Sequence, residues 1–402
     1  MKKDTLSTIY TTTIFLVPVL SQYSVGPLDL DVIVMSFLFL VIVLGKSIQF
    51  QDNQSIVLLL LYTVLITLIN LLVGKLYAEP LEILLRLGKY VLYLAMTMLL
   101  GVNQLINYEK GMKIFRIVAL CATTYLILQA IFYYGLGITL PNTIGGKVNS
   151  TNAEEVGRLR SFYSEPSVMA YCTIPFICCS LFGEKYGKKD TRMFDAIYVS
   201  FGVVLSTSGQ GIICVTALWL IWFIRNIVLG KIKFKEICTV IAVVCLITIM
   251  YSSGVLKFAV DRIMNTGEHG AISARASGYK TWGLLNTFQL MFGAGYGNYV
   301  TLNTYNLDVP YDYVNYSSLA ENVFVTGIIG SVFLYTILFN GFLKGNLRAK
   351  MIFVSIIILG FSGCPLGSIL IPTYFSFLFM PQEDKVIQKL TSEEVGNGKN
   401  TK

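Results

Sequence analysis

The sequence predicts an all-α, polytopic integral membrane protein: one multi-pass domain over 1–402 with about eleven or twelve transmembrane helices. Three observations predict it. Hydrophobic residues make up 54% of the chain and charged residues 13%, against roughly half and about a quarter in soluble domains. Apolar runs of spanning length recur from end to end, and lipid gives an exposed backbone polar group no partner, which leaves helices as the fitting element. Lys and Arg collect in alternate loops between the runs, the pattern that cytoplasmic retention of basic residues imposes on a multi-pass chain.

Taken in order, the runs fall at roughly 8–25, 30–45, 55–73, 84–102, 114–138, 167–182, 194–209, 211–229, 237–254 and 319–343. A crossing takes about 20 mostly apolar residues. Lys2, Lys3 and Asp4 precede the first run, and no small-residue cleavage site follows it, so that helix is expected to be retained. The second opens on Asp29-Leu30-Asp31 and carries no further charge to Gly45. Lys89 lies near the outer end of 84–102, and Arg116 near the inner end of 114–138. The stretch 351–380 contains Pro365 and Pro372. It is too long for one straight crossing and short for two, so it reads as a bent final pair.

The basic loops set the orientation. Lys2 and Lys3, Lys110 and Lys113, Lys185 to Arg192, Lys231 to Lys235, and Lys344 to Lys350 fall on alternate loops and read as cytoplasmic. The tail 381–402, with Lys385, Lys389, Lys399 and Lys402, reads as cytoplasmic too, which favours twelve crossings. The formal charge of +8 is then a property of these loops and implies no nucleic-acid partner. All 8 cysteines sit in apolar runs, where they act as small hydrophobes. A single histidine, His269, rules out a His-rich metal site; in a loop it reads as a solvated bystander.

The same alternation places two longer segments outside, 139–166 and 255–318, and function is expected to concentrate there. Within the second, Trp282, Leu285, Phe288 and Phe292 recur near helical spacing, predicting a short amphipathic helix over 278–292 at the membrane surface. There is no internal repeat, nor an inverted repeat of interrupted helices, which weighs against a secondary transporter.

In the first segment, Arg158-Leu159-Arg160-Ser161-Phe162-Tyr163-Ser164-Glu165-Pro166-Ser167 runs directly into a span. Pro166 suits a first helical turn, with Ser164 or Ser167 as cap. Two arginines beside one carboxylate are what an anionic, phosphate-bearing substrate requires; a snorkelling ion-pair cluster that caps the span is the structural alternative. In the second segment come Asp261-Arg262, Glu268-His269, Arg275 and then Gly293-Ala294-Gly295-Tyr296-Gly297-Asn298. Its glycines permit close backbone approach, and Tyr and Asn suit sugar hydroxyls; the alternative is a tight turn against the membrane. Asp29 and Asp31 read either as metal ligands or as partners of a helix dipole. Glu79, Glu82 and Arg86 read as a local pair or as part of the site. Glu321-Asn322 opens the span 319–343, where an ionisable residue is a functional candidate.

These stretches together resemble the Wzy family, the O-antigen and capsule repeat-unit polymerases related to the O-antigen ligases. The resemblance rests on Phe162-Tyr163-Ser164-Glu165-Pro166-Ser167 before a span, on Arg275 to Trp282 to Phe292-Gly293-Ala294-Gly295-Tyr296-Gly297-Asn298, and on Ser317-Ser318-Leu319-Ala320-Glu321-Asn322 leading into Gly327-Ile328-Ile329-Gly330. The motifs cover about 50 residues; the topology extends over nearly the whole chain. The resemblance implies a GT-C-like fold in a bacterial inner membrane with two large periplasmic loops and the active site facing the periplasm. It implies transfer of an undecaprenyl-diphosphate-linked glycan onto the next lipid-linked repeat unit, without a nucleotide sugar, metal or other cofactor. Partners would be that oligosaccharide, membrane lipid, and the chain-length regulator and flippase of the same pathway. Family members rely on arginines in the two loops, which here fall on Arg158, Arg160 and Arg275, with Arg262 as second choice. The His-Asn that often precedes the Gly-Ile-Ile-Gly span in the ligase branch is absent, with Asn315-Tyr316-Ser317 in its place, which lowers the ligase reading.

Charge assigns the expected roles. Arg158, Arg160 and Arg275 stabilise a departing diphosphate, and Glu165 takes the acceptor proton. Tyr163, Arg262, Tyr296, Asn298 and Glu321 contact the substrate. An O-antigen ligase differs only in its acceptor. A lipid-linked oligosaccharide flippase would place charges along a path through many spans, whereas here the span interiors carry few.

Overall fold

The computed structural model describes residues 3–25, 28–45, 54–74, 76–103, 108–143, 159–186, 190–230, 278–298 and 316–361, together with positions 248, 252, 363 and 370. Helix dominates. In chain order the helices are α1 (Lys3–Leu20), α2 (Leu30–Gly45), α3 (Gln54–Val73), α4 (Pro80–Asn103), α5 (Tyr108–Ala130), α6 (Pro166–Phe182), α7 (Arg192–Leu205), α8 (Gly209–Val228), α9 (Thr287–Phe292), α10 (Ser318–Lys344) and α11 (Leu347–Gly360). Helix α5 continues into a π turn, Ile131–Gly135. By length and composition, Gln54–Val73, Tyr108–Gly135, Gly209–Val228 and Ser318–Lys344 suffice to cross a membrane; α2, α6 and most of α1 are apolar but shorter. The expected span 237–254 lies outside the described residues except for Thr248 and Ser252, as does most of 351–380.

Local chemistry explains the helix starts. Ser208, Asn286, Ser317 and Asn346 cap α8, α9, α10 and α11 by accepting backbone N–H groups of the first turn. Helix α6 starts on Pro166, which has no N–H to leave unsatisfied. Its cap corrects the sequence reading: Glu165 occupies that position with no side-chain cap bond, and Ser167 instead donates to Glu165 Oε2 at 2.9 Å. Two further boundaries differ from expectation. The first run is expected at 8–25, but α1 ends at Leu20, and Ser24–Val25 pairs antiparallel with Leu28–Asp29. The last described helix starts at Leu347, earlier than 351, because Asn346 caps it, and it stops at Gly360, ahead of Pro365.

Side-chain contacts orient the helices. At one end, the starts of α5, α7 and α11 meet. Arg116 of α5 grips Asp195 of α7 with two bonds, Nε to Oδ2 at 2.8 Å and Nη2 to Oδ1 at 3.0 Å. The Arg348 guanidinium lies 4.2 Å over the Tyr108 ring. At the other end, Gln22 after α1 donates to the Phe162 carbonyl before α6 at 2.6 Å, and Lys89 of α4 reaches the start of α2. Tyr171 of α6 bonds Gln210 at the start of α8. We call these the basic end and the loop end.

Aromatic rings fill the middle. Phe115 of α5 stacks on Phe15 of α1 at 4.5 Å and takes the edge of Phe176 of α6 at 5.2 Å. Small residues allow close helix approach: a Cβ at Gly202 of α7 would lie 2.8 Å from Thr123 of α5, and one at Gly211 of α8 2.6 Å from Ala170 of α6. The outward faces stay apolar, with Leu44 and Leu72 each 84% exposed. Such faces suit lipid, where packing and internal hydrogen bonds, not water exclusion, hold helices together.

Candidate functional site

The singled-out polar side chains that lie among the described residues form three groups toward the loop end. The first is the turn before α6. Ser161 is fully buried at φ 56°, a left-handed conformation that a non-glycine residue adopts at a cost of about 1–2 kcal/mol. Hydrogen bonds to α5 offset it. Ser161 N–H donates to Gln129 Oε1 at 2.8 Å, Gln129 Nε2 donates to the Ser161 carbonyl at 3.1 Å, and Ser161 Oγ donates to the Ala122 carbonyl at 2.7 Å. The turn is therefore clamped to α5.

Within it, Arg160 Nη1 donates to the Ser164 carbonyl at 3.0 Å, so the guanidinium braces its own turn. Glu165 is exposed and accepts from Ser167. Arg160 and Glu165, which the sequence offered either as substrate groups or as members of an ion-pair cluster, bond here to Ser164 and Ser167. Tyr163, expected on the substrate, is 1% exposed and packs under the turn, where burial pushes its hydroxyl well above the usual phenol range. Arg158 lies outside the described residues.

The second group is built on a break in α10. Gly327 sits at φ 68°, ψ −176° inside an otherwise helical segment, which interrupts the backbone ladder. Three carbonyls beside the break find partners outside α10. Ala294 N–H donates to Phe324 O at 2.8 Å and Gly295 N–H to Val325 O at 3.0 Å, while Tyr62 Oη lies 3.0 Å from Thr326 O and 2.9 Å from Phe292 O. The glycine-rich turn is thus a plug docked into a broken helix. Gly293 (φ 105°), Gly295 (φ 91°) and Gly297 (φ 83°) supply the positive φ values it needs. Helix α3 holds it from the other side: Asn70 Nδ2 donates to Gly293 O at 3.0 Å, and Tyr296 N–H to Thr67 Oγ1 at 2.9 Å.

Consequently Tyr296 and Asn298, assigned from sequence to sugar contacts, hold the plug. Tyr296 stacks on Tyr90 of α4 at 4.3 Å. Asn298 is 1% exposed; its Oδ1 accepts from Tyr77 N–H at 2.6 Å and its Nδ2 donates to Ala294 O at 2.9 Å. The helix expected over 278–292 is also corrected. It breaks into a turn of 3-10 helix, Thr281–Leu284, and the short α9, because Leu285 is extended and Asn286 starts a new cap. Glu321 is half-buried in the first turn of α10, within electrostatic reach of the Tyr90 hydroxyl. Arg262, His269 and Arg275 lie outside the described residues.

The third group surrounds Lys89. Its Nζ lies 2.6 Å from Asp29 Oδ2 and 3.3 Å from Asp31 Oδ2, and Tyr93 Oη donates to Asp31, which is fully buried. Both acids of the Asp-x-Asp are therefore partners of a lysine. Glu82 pairs with Arg86 one turn along α4, the local one of the two roles read from their spacing.

The structure thus joins Arg160, Tyr163 and Glu165 in one group and Tyr296, Asn298 and Glu321 in another. Sequence reasoning passed over Thr63, Thr67 and Asn70, buried along one face of α3, of which Thr67 and Asn70 hold the plug. Their spacing of four and three within an apolar run was the available signal. No family model matches the chain, and no curated protein or solved structure matches it either.

Proposed function

We propose that the chain is a membrane glycosyltransferase that polymerises lipid-linked oligosaccharide repeat units. The glycan on undecaprenyl diphosphate would pass to the next lipid-linked unit at the periplasmic face of a bacterial inner membrane, through a GT-C-like bundle of about eleven or twelve spans. The observation that carries this reading is the clamped turn before α6, which holds Arg160 in place and leaves the Glu165 carboxylate open at the mouth of an apolar bundle. In the proposed step an acceptor hydroxyl oxygen attacks the anomeric carbon, the bond to diphosphate breaks, and the electron pair leaves with the diphosphate. The hydroxyl proton passes to Glu165, and guanidinium groups of Arg158, Arg160 and Arg275 carry the charge that builds on the leaving group. Tyr163, Tyr296 and Asn298 serve as struts beneath this site, while Arg262 and Glu321 remain substrate contacts.

A second reading, a lipid-linked oligosaccharide transporter, is favoured by one observation: α10 is an interrupted helix, the device by which transporters expose backbone groups to a ligand. Against it, the carbonyls freed at the break are occupied by Ala294, Gly295 and Tyr62. The test is to delete the gene and separate the cell's surface polysaccharide by size. Collapse of a ladder to a single repeat unit supports the polymerase. Loss of the single unit with lipid-linked glycan trapped inside supports the transporter, and the same glycan trapped outside supports a ligase. Arg160→Ala and Arg275→Ala should each abolish long polymer while the protein stays in the membrane; wild-type chain lengths in both would sink the assignment.

A further inference from the structure

We propose an anion site at the basic end, where the starts of α5 and α11 meet, built on the Arg348 guanidinium and occupied by the phosphate of an anionic membrane phospholipid. Arg348 stands in the first turn of α11 and is 2% exposed. Its Nε is buried with no hydrogen-bond partner, and among the described residues no carboxylate pairs with it. The guanidinium lies 4.2 Å over the ring of Tyr108, a neutral side chain at the first position of α5, whose hydroxyl donates to the Glu184 carbonyl at 3.4 Å. The Glu184 carboxylate is within electrostatic reach of Tyr108 but forms no ion pair with Arg348. A buried cation without a counter-charge is costly, and arginine cannot shed its proton to escape that cost.

The neighbouring cations show by contrast what is missing. Arg116 has Asp195, Arg192 has Asp190, and Lys113 has Glu109. Helices α5 and α7 each carry an acid in the first turn, Glu109 and Asp195, where the positive end of a helix dipole favours one. Helix α11 carries none there, and its first turn holds Arg348 and Lys350 instead. Lys350 lies 5.6 Å over the Phe342 ring, and Lys344, just before the turn, is exposed. Asn346 takes the Ala349 N–H at 3.1 Å, and a helix start leaves further N–H groups to satisfy. An orphaned guanidinium and a helix terminus thus call for negative charge at one place. Phosphate answers both, because its oxygens accept from backbone N–H groups and pair with the guanidinium fork. A lipid is the source, since Phe339 and Leu343, exposed on the last turns of α10, give acyl chains an apolar face that ends on Lys344. The inference rests on the chain lying in a membrane and is independent of the polymerase reading. The rival role for Arg348 is a cation–π staple between α11 and α5, which needs no anion.

The test uses purified full-length protein in mild detergent, titrated with dioleoyl phosphatidylglycerol or dioleoyl phosphatidylcholine and read by native mass spectrometry. The two lipids share their tails and differ in headgroup charge. Wild type should bind the anionic lipid about tenfold more tightly than the zwitterionic one, and Arg348→Gln should lose most of that preference. The ratio is the telling quantity, because a merely structural arginine would alter stability without altering the choice between two lipids with the same tails. Absence of a preference in wild type, or an unchanged preference in Arg348→Gln, overturns the site and leaves the staple. Inorganic phosphate, added as competitor, should displace phosphatidylglycerol only in large excess; displacement at equal concentration overturns the lipid and makes soluble phosphate the occupant. Should Arg348→Gln fail to fold, Arg348→Lys, which keeps the charge and loses the fork, should narrow the preference to about threefold. A full wild-type preference in that variant overturns the site equally.

Discussion

The docking of the glycine turn into the break in α10 makes Gly293→Ala the most informative single substitution. At φ 105°, ψ 156°, Gly293 occupies backbone space open essentially to glycine alone, and forcing another residue there costs of order 1–3 kcal/mol. A Cβ would lie 2.2 Å from the Val325 carbonyl oxygen and 2.6 Å from Thr326 Cα, both backbone atoms that no side-chain rotation relieves. Relief requires the turn to back out, which breaks the bonds from Ala294 and Gly295 to Phe324 O and Val325 O. Each such loss costs about 0.5–1.5 kcal/mol, and more where the orphaned carbonyl has no water to turn to. The combined effect is about 2–6 kcal/mol, a large share of the roughly 5–15 kcal/mol by which an ordinary domain is stable. The turn should undock before the bundle unfolds. Gly327→Ala attacks the same contact from the other side, where a Cβ would meet Met291 O at 2.3 Å. The double variant should therefore cost far less than the two singles together. Thermal unfolding in detergent, combined with protease cleavage in the 278–298 segment, measures both effects. A Gly293→Ala protein with wild-type unfolding temperature and cleavage pattern, or strictly additive losses, would refute the docking argument.

At the basic end, Asp195 is fully buried and accepts from Arg116, from Tyr186 at 3.0 Å and from Thr191 at 2.8 Å. Asp195→Ala should destabilise the α5–α7 pairing by about 3 kcal/mol, the low end for a broken buried pair because Arg116 retains access to water; thermal unfolding reads it. Arg192 holds the Asp190 carboxyl below the usual carboxylate range. A depressed folded pKa means the pair stabilises the fold above the unfolded value of about 3.9 and stops doing so as pH falls through the lower folded value. The pair is solvent-accessible, so its worth is no more than about 0.5 kcal/mol. Comparing wild type with Asp190→Asn should show a difference at pH 6 that shrinks below pH 4, and a difference that grows there would reverse the sign.

Much of the helical framework was legible from local chemistry. The starts of α2, α6 and α8 lie within two residues of the bounds read from the apolar runs. Pro166 and the caps at Ser208 and Ser317 are signals that act on their own turn. The π-helical end of α5 has no signature distinct from a frayed helix end, and the pairing of Ser24–Val25 with Leu28–Asp29 went unread although Gly26-Pro27 between them is a turn signal. The candidate site was legible as a set of residues and illegible as an arrangement. Arg160 and Glu165, read as substrate groups or as part of an ion-pair cluster, bond to Ser164 and Ser167. Asp29-Leu30-Asp31 is silent about Lys89, 60 residues away, and the Gly293 turn is silent about Asn70, 223 residues away.

The division has a physical cause. In an apolar medium each helix must satisfy its backbone within its own segment, so composition, run length, capping residues and prolines, all local quantities, determined that this is an all-α chain with helices able to cross a membrane. Side-chain roles are set by what stands opposite. Whether Gly-Ala-Gly-Tyr-Gly-Asn binds a ligand or plugs a broken helix depends on Gly327 having left three carbonyls open and on α3 presenting Thr67 and Asn70 to meet it. That pairing of a gap with its filler is a property of two distant segments together, and the tertiary structure alone decided it.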